Sequence, residues 1–229
     1  MRVFLAAAIA LSCSSSLAQM QPPPPPGGYG PPAGPGATPP APGPVTAPAP
    51  FQHDGLFLRA YLGLGYARFG AEEIPGVGQV IVDGGGGALG LAAGWTIRPN
   101  LILYLELVVD AMGQPDVTVN DATIETSEDV SAGVVTFGPG LAFYTPTNMF
   151  LSGTLGISQL SVTDDGERVG ETEAGLGFSG MLGKEFWISP TFALGLAGQL
   201  FLGSMRDDEN NDITWGAFAL TLGVTATYN

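Results

Sequence analysis

Alternation of apolar residues with small or polar ones recurs along the chain, and it is the feature that most limits the fold. The stretch 101–112, LILYLELVVDAM, has Leu at every odd position as far as Leu107, and Glu106 and Asp110 lie on the other face. Side chains of a β-strand point alternately to opposite faces, so this spacing predicts a strand. A membrane-spanning helix needs about 20 consecutive apolar residues, and this run is too short and too charged.

The same alternation predicts eight strands after residue 55. One face of each segment carries Leu, Phe and Val, and the other carries Gly, Thr and Ser with a few charged residues. An apolar face this continuous is hard to leave in water, which argues against a soluble lipocalin-like barrel with an apolar interior. The predicted strands are residues 56–68, 88–98, 101–112, 133–144, 149–160, 174–185, 192–203 and 215–228.

The connections between these strands alternate between two kinds. Three are short, contain proline and carry no acid, whereas four are long, at about 69–86, 112–131, 161–173 and 204–213. Of the 21 acidic residues, 17 lie in the long connections, and the formal net charge is −14. An even strand number, short turns at one end and long loops at the other predict an all-β, eight-stranded antiparallel up-and-down transmembrane β-barrel. Closure is required because unpaired backbone groups cannot face hydrocarbon.

The pattern over residues 55–229 resembles the small eight-stranded outer-membrane β-barrel proteins of Gram-negative bacteria. The last predicted strand ends FALTLGVTATYN, similar to that family's C-terminal assembly signal, although Tyr228 is penultimate and Asn229 is last. The resemblance implies a bacterial outer-membrane location and contact with outer-membrane lipid. It also implies insertion by the barrel-assembly machinery through the C-terminal strand.

The first 54 residues have the composition of export and linker segments. Residues 1–18 combine Arg2, a short apolar stretch and a small-residue cleavage pattern, which predicts a signal peptide. Lipidation at Cys13 is the alternative to cleavage after Ala18. Residues 19–54 form a predicted disordered, Pro-rich linker in the periplasm, since residues 21–50 hold 14 of the 20 prolines and no charge.

Strand parity predicts which polar side chains enter the lumen. An eight-stranded barrel is just wide enough for side chains to fill, and Tyr61 and Asp110 also have inward parity. Because a buried charge must be paired, Arg59 with Glu106 is the expected ion pair. Pro139 lies within a strand that has no free edge, so a bulge is expected there. The predicted polar plug consists of Arg59, Tyr104, Glu106, Glu185 and Gln199.

Two bands of aromatic residues are predicted at the membrane interfaces, where such residues anchor transmembrane barrels. Tyr66, Phe69 and Trp215 lie near the long connections. The larger band, near the short turns, comprises Phe143, Tyr144, Phe150, Phe186, Trp187, Phe192 and Tyr228.

The acidic loops predict a solvated outer rim. Their oxygen ligands suit divalent cations, but the EF-hand spacing is missing, so no metal site is assigned and cation binding at the loops is the alternative. The acidic balance excludes a nucleic-acid surface. The acidic-loop residues are Asp164, Asp165, Asp207, Asp208, Glu209 and Asp212.

No catalytic or cofactor-binding residue is assigned. Gly85, Gly87 and Gly90 fit G-x-G-x-x-G, but the next residues alternate in twos and reach Pro99, which leaves no room for the helix of a dinucleotide site. His53 is the only histidine and precedes the first strand, on the periplasmic side. The expected function is therefore structural or surface-binding, with a plugged lumen and no enzymatic activity. A narrow channel or a lipid-modifying barrel enzyme is the alternative.

Overall fold

The computed structural model describes residues 53, 55–74, 76–125, 130–208 and 212–229. The predicted signal peptide, almost all of the predicted linker and Glu209 lie outside the described residues. Within the described part of the chain, regular structure consists of eleven β-strands, and no helix is long and apolar enough to cross a membrane. The strands are β1 Leu56–Ile74, β2 Gly78–Arg98, β3 Leu101–Gly113, β4 Asp116–Val119, β5 Ala122–Glu125, β6 Ser131–Tyr144, β7 Met149–Asp164, β8 Glu167–Glu171, β9 Gly175–Ser189, β10 Phe192–Arg206 and β11 Thr214–Tyr228.

Eight of these strands close into a ring in the order β1-β2-β3-β6-β7-β9-β10-β11 and back to β1. Every pairing in the ring is antiparallel. Arg59 of β1 shows the closure, since it is in register with Ala92 of β2 on one side and Thr227 of β11 on the other. The prediction of an all-β, eight-stranded antiparallel up-and-down barrel is confirmed.

Asparagine enables two of the short turns that connect the strands. Asn100 and Asn148 have φ of 63° and 58°, in the left-handed region that asparagine tolerates better than most residues. Asn148 also donates its backbone N–H to the carbonyl of Thr145 at 2.9 Å, which closes the turn between β6 and β7. The neutral end of the barrel is therefore compact.

The long connections, expected to be loops, are largely strand, so that expectation is wrong. β1 continues to Ile74 and β2 starts at Gly78, so most of the first long connection is a β-hairpin that extends these two strands. The β4–β5 hairpin extends the sheet next to β2, and β8 folds back on β7. The run Gly84–Gly87 explains why alternation did not reveal the start of β2, because glycines give no apolar contrast.

The barrel wall is apolar outside and mixed inside. The outward side chains of the ring are mainly Leu, Val, Ile and Phe, and Leu64 and Leu222 are 77% and 73% exposed. The inward side chains at alternate positions are buried. An apolar exterior on a closed barrel is the arrangement of transmembrane barrels, in which lipid covers the outer face.

The bulge expected at Pro139 is absent, so that prediction is wrong. Phe137 pairs with Ile157 and Gly140 pairs with Thr154, which is one continuous register across the proline. Pro139 also keeps its place opposite Leu105 of β3. Its missing N–H therefore interrupts the β6–β7 ladder without inserting a residue.

The aromatic bands are only partly where they were predicted. Phe143, Phe186, Phe192 and Tyr228 point outward near the short turns, and Tyr66 points outward at the other end. By contrast, Tyr144, Phe150 and Phe69 are buried inside the barrel, and Trp215 packs against an interior cluster. These residues have inward strand parity, which decides their position more strongly than aromatic character does.

Candidate functional site

The lumen brings the predicted polar residues together. Each comes from a position with inward parity, and neighbouring strands carry small residues opposite the large ones, such as Gly140 opposite Tyr104. All seven side chains with predicted inward parity are buried: Arg59, Tyr61, Tyr104, Glu106, Asp110, Glu185 and Gln199.

Arg59 is the centre of one interior network. Its Nη2 lies 3.5 Å from Glu106 Oε1 and donates to Ser152 Oγ at 3.1 Å. Glu106 Oε2 also accepts a hydrogen bond from the hydroxyl of Thr154. β7, which carries Ser152, lies four places from β1 in the ring, so the Arg59 side chain reaches across the lumen.

Aromatic rings surround the Arg59 guanidinium. Its Cζ lies 5.1 Å from the ring centroid of Phe150, 5.4 Å from that of Tyr104 and 5.6 Å from that of Phe57. Cations are attracted to the faces of aromatic rings at such distances. The rings and Glu106 therefore stabilise a charge that has been removed from water.

A second contact spans the lumen nearer the middle of the strands. Gln199 of β10 donates from Nε2 to Asp110 Oδ2 of β3 at 3.4 Å. β3 and β10 lie four places apart in the ring of eight and so face each other across the barrel. Beside this contact, the hydroxyls of Tyr61 and Thr221 are hydrogen-bonded at 2.9 Å.

Glu185 accepts hydrogen bonds inside the lumen, at the end of the barrel where the short turns lie. Its Oε1 accepts hydrogen bonds from Thr227 Oγ1 at 2.6 Å and from the Tyr144 hydroxyl at 3.2 Å. The three residues come from β9, β11 and β6, so this network also draws distant strands together.

His53 covers this same end, a feature that the sequence did not predict. Its ring stacks on Tyr144 with centroids 3.6 Å apart, and the Trp187 ring centroid lies 5.0 Å away. Its Nδ1 is 2.6 Å from Asn229 Nδ2, and this contact joins the segment that precedes β1 to the residue that follows β11. Only 1% of His53 is exposed. We name His53, Tyr144, Trp187 and Asn229 the aromatic cap.

The aromatic cap should weaken on acidification. Burial lowers the pKa of His53 from 6.5 to about 4, and the hydrogen bond with Asn229 opposes that shift only in part. Between these values the uncapped state binds more protons, so the cap's contribution is complete above pH 6.5 and is lost as pH falls toward 4. We expect wild type to lose about 3 kcal/mol of unfolding free energy in this window relative to His53→Gln. Urea titrations at stepped pH measure it, and parallel curves for the two proteins would contradict it.

The outer end of the lumen is apolar, which the sequence did not predict. Phe69, Met112, Val134, Phe201 and Met205 are each at most 2% exposed and belong to one cluster. They come from four strands, β1, β3, β6 and β10, in the parts of those strands toward the acidic connections. Met112, Val134 and Phe201 have inward parity within the predicted strands, and parity extended one or two residues past the strand ends would have placed Phe69 and Met205 inside as well. We name this group the outer apolar cluster.

The acidic residues lie at the rim beyond this cluster. Asp164, Asp165, Asp208 and Asp212 are exposed, while Asp207 is half-buried and accepts a hydrogen bond from Trp215 Nε1 at 3.1 Å. In the described parts of these loops, no group of three or more potential metal ligands comes together.

Asp165 has a specific role in the backbone. It and Gly166 have φ of 48° and 76°, and they form the two-residue turn between β7 and β8. Tight hairpins favour Asp-Gly at such positions because both central residues need positive φ.

Comparisons with known proteins give likenesses among solved structures only. No protein-family model matches the chain, and no curated protein sequence matches it. Neisserial surface protein A is 15% identical with a TM-score of 0.46, covering 75% of this chain and 96% of that one. Outer membrane protein OprG from Pseudomonas aeruginosa is 14% identical with a TM-score of 0.44, covering 77% and 97%. Ail of Yersinia pestis is 14% identical with a TM-score of 0.36, covering 76% and 99%. The fold assignment itself stands on the closed strand ring.

Proposed function

We propose that the chain is a bacterial outer-membrane β-barrel protein with a plugged lumen, acting in a structural or surface-binding role. The observation that carries this proposal is the pair of side-chain contacts between strands on opposite sides of the ring. Arg59 reaches Ser152 and Gln199 reaches Asp110, at 3.1 Å and 3.4 Å. Side chains that meet across the diameter leave no continuous water path between them.

The location in the outer membrane is supported by the wall of the barrel. Its outward face is apolar, and the strand ring is closed, so no strand edge is left with unpaired backbone groups. The connections are short at one end of the barrel and long and acidic at the other, as in outer-membrane barrels. In this orientation the aromatic cap and the preceding linker face the periplasm, and the acidic rim faces outward. Outer-membrane lipid and the barrel-assembly machinery are the proposed partners. Divalent-cation binding at the acidic rim stays a prediction.

We propose no enzymatic role. Nucleophilic catalysis needs a nucleophile with an adjacent base. His53 is engaged in the aromatic cap at the opposite end from the rim. The interior carboxyls contact Arg59, Gln199 and hydroxyl groups instead of lining an open cleft.

Electrophoresis and conductance test the proposed function in two steps. A folded barrel extracted in detergent should migrate differently before and after boiling, and purification as a periplasmic protein soluble without detergent would contradict the location. In planar bilayers we expect no sustained conductance steps from wild type. Gln199→Ala should give no sustained steps either, because Arg59 still reaches Ser152 across the lumen, and Arg98→Ala, at the exposed end of β2, is its control. Large sustained steps from wild type would contradict the plug and favour a channel.

A further inference from the structure

The charges inside the barrel do not balance. Among the described side chains, the buried charged residues of the barrel wall are one base, Arg59, and three acids, Glu106, Asp110 and Glu185. A charge removed from water is strongly disfavoured unless it is paired and hydrogen-bonded. Arg59 forms its ion pair with Glu106. The other two acids must be stabilised in another way.

Hydrogen bonding distinguishes the three acids. Both oxygens of Glu106 have partners, Arg59 and Thr154. Glu185 accepts from Tyr144 and Thr227, and the hydroxyl of Thr225 on β11, two strands away in the ring, is a potential donor to its remaining oxygen, Oε2. Thr225 and Glu185 are both in register with Gly195 of β10, so they lie at the same level on the two strands that flank β10.

Asp110 differs because only one of its two carboxyl oxygens meets a hydrogen-bond donor. Gln199 Nε2 donates to Asp110 Oδ2, while Asp110 Oδ1 and Gln199 Oε1 are both buried with no partner. An ionised carboxylate and an amide oxygen are both acceptors only, so neither can satisfy the other. A proton on Asp110 Oδ1 would satisfy both atoms, because a protonated carboxyl donates one hydrogen bond.

We propose that Asp110 is a proton-binding site in the lumen, held as a neutral carboxylic acid that forms a cyclic acid–amide pair with Gln199. Its Oδ1–H donates to Gln199 Oε1, and Gln199 Nε2 donates back to Oδ2. The pair links two strands that face each other across the barrel.

The groups around Asp110 agree with a neutral acid. On the surrounding strands, the described titratable side chains that face it are Tyr61 of β1 and Glu106 of β3. Glu106 is the partner of Arg59, so no base is left for Asp110. A second negative charge near Glu106 would be repelled. Tyr61 is already hydrogen-bonded to Thr221.

Matched amide variants test this proposal. Asp110→Asn replaces a neutral acid by a neutral group of the same shape, so its urea midpoint at neutral pH should equal that of wild type. Glu106→Gln removes one charge of an ion pair and should lower the midpoint. Infrared spectra of wild type at neutral pH should contain a protonated-carboxyl band that is lost in Asp110→Asn and kept in Glu106→Gln. Heat-modifiable migration checks that each variant is folded.

Three results would overturn the proposal. One is the absence of the carboxyl band in wild type, and another is a midpoint for Asp110→Asn as low as that of Glu106→Gln. The third is a wild-type midpoint that depends on the concentration of Na⁺ or K⁺ and loses that dependence in Asp110→Asn, since a metal cation would then bridge the two oxygens. The test does not depend on whether the lumen conducts.

Discussion

Arg59→Met is expected to lower the unfolding free energy by about 3–5 kcal/mol, the loss typical when one partner of a buried ion pair is removed. The physical reason is that Glu106 is 3% exposed and would be left as a buried acid without the guanidinium that now lies at 3.5 Å. Methionine preserves most of the arginine stem, so the change tests the charge more than the volume. Urea titration of the refolded barrel in lipid vesicles measures the loss.

A double variant separates the charge from the packing. Arg59→Met with Glu106→Gln removes both charges, and we expect it to recover most of the stability lost in Arg59→Met alone. Arg98→Met is the control, because Arg98 is exposed beside a short turn and should change stability by less than about 0.5 kcal/mol. If the double variant is as unstable as the sum of its single changes, the pair does not stabilise the lumen in the way described.

Leu107→Arg is expected to destabilise the barrel by about 2–4 kcal/mol, the cost of an arginine on the lipid face near the middle of the bilayer. Leu107 is the middle residue of β3, and its side chain points outward with 40% of its surface exposed. In a soluble barrel the same substitution would place a charge in water at little cost. The variant therefore tests whether the apolar wall contacts lipid, again by urea titration in vesicles.

Val169→Arg is the matched control for Leu107→Arg. Val169 is 63% exposed in β8, beyond the predicted membrane segment of the wall. Arginine there should remain in water and change the unfolding free energy by less than about 0.5 kcal/mol. Equal losses at the two positions would contradict the proposed depth of the barrel in the bilayer.

Alternation in the sequence was sufficient to predict the ring and the orientation of its side chains. A period of two is a local property, so Glu106 and Gln199 could be placed inside from their own segments alone. For Tyr144 and Phe150, the predicted aromatic band contradicted strand parity, and the prediction from parity was the correct one. Their segments place them inside, but their aromatic character favoured the membrane interface, and the structure follows parity.

Contacts across the lumen could not be predicted from the same pattern. Parity states that Asp110 and Gln199 point inward, but their meeting depends on which strands face each other and on the stagger between them. The Arg59–Glu106 pair could be chosen on charge alone, whereas its third partner, Ser152, could not. The strand extensions were missed because the Gly84–Gly87 run and the acidic stretches lack the apolar contrast that marks a strand.

The two closed ends of the lumen should determine how fast its interior groups exchange hydrogen with solvent. The outer apolar cluster lies between the acidic rim and the polar networks, and the aromatic cap covers them from the other side. Solvent therefore reaches Asp110 and Gln199 only when one end opens locally. The Gln199 side-chain amide should accordingly exchange hydrogen for deuterium at a rate set by that opening. Exchange of the interior protons would then be limited by opening at either end, and opening at the aromatic cap should be faster in acid because His53 becomes charged once it is exposed.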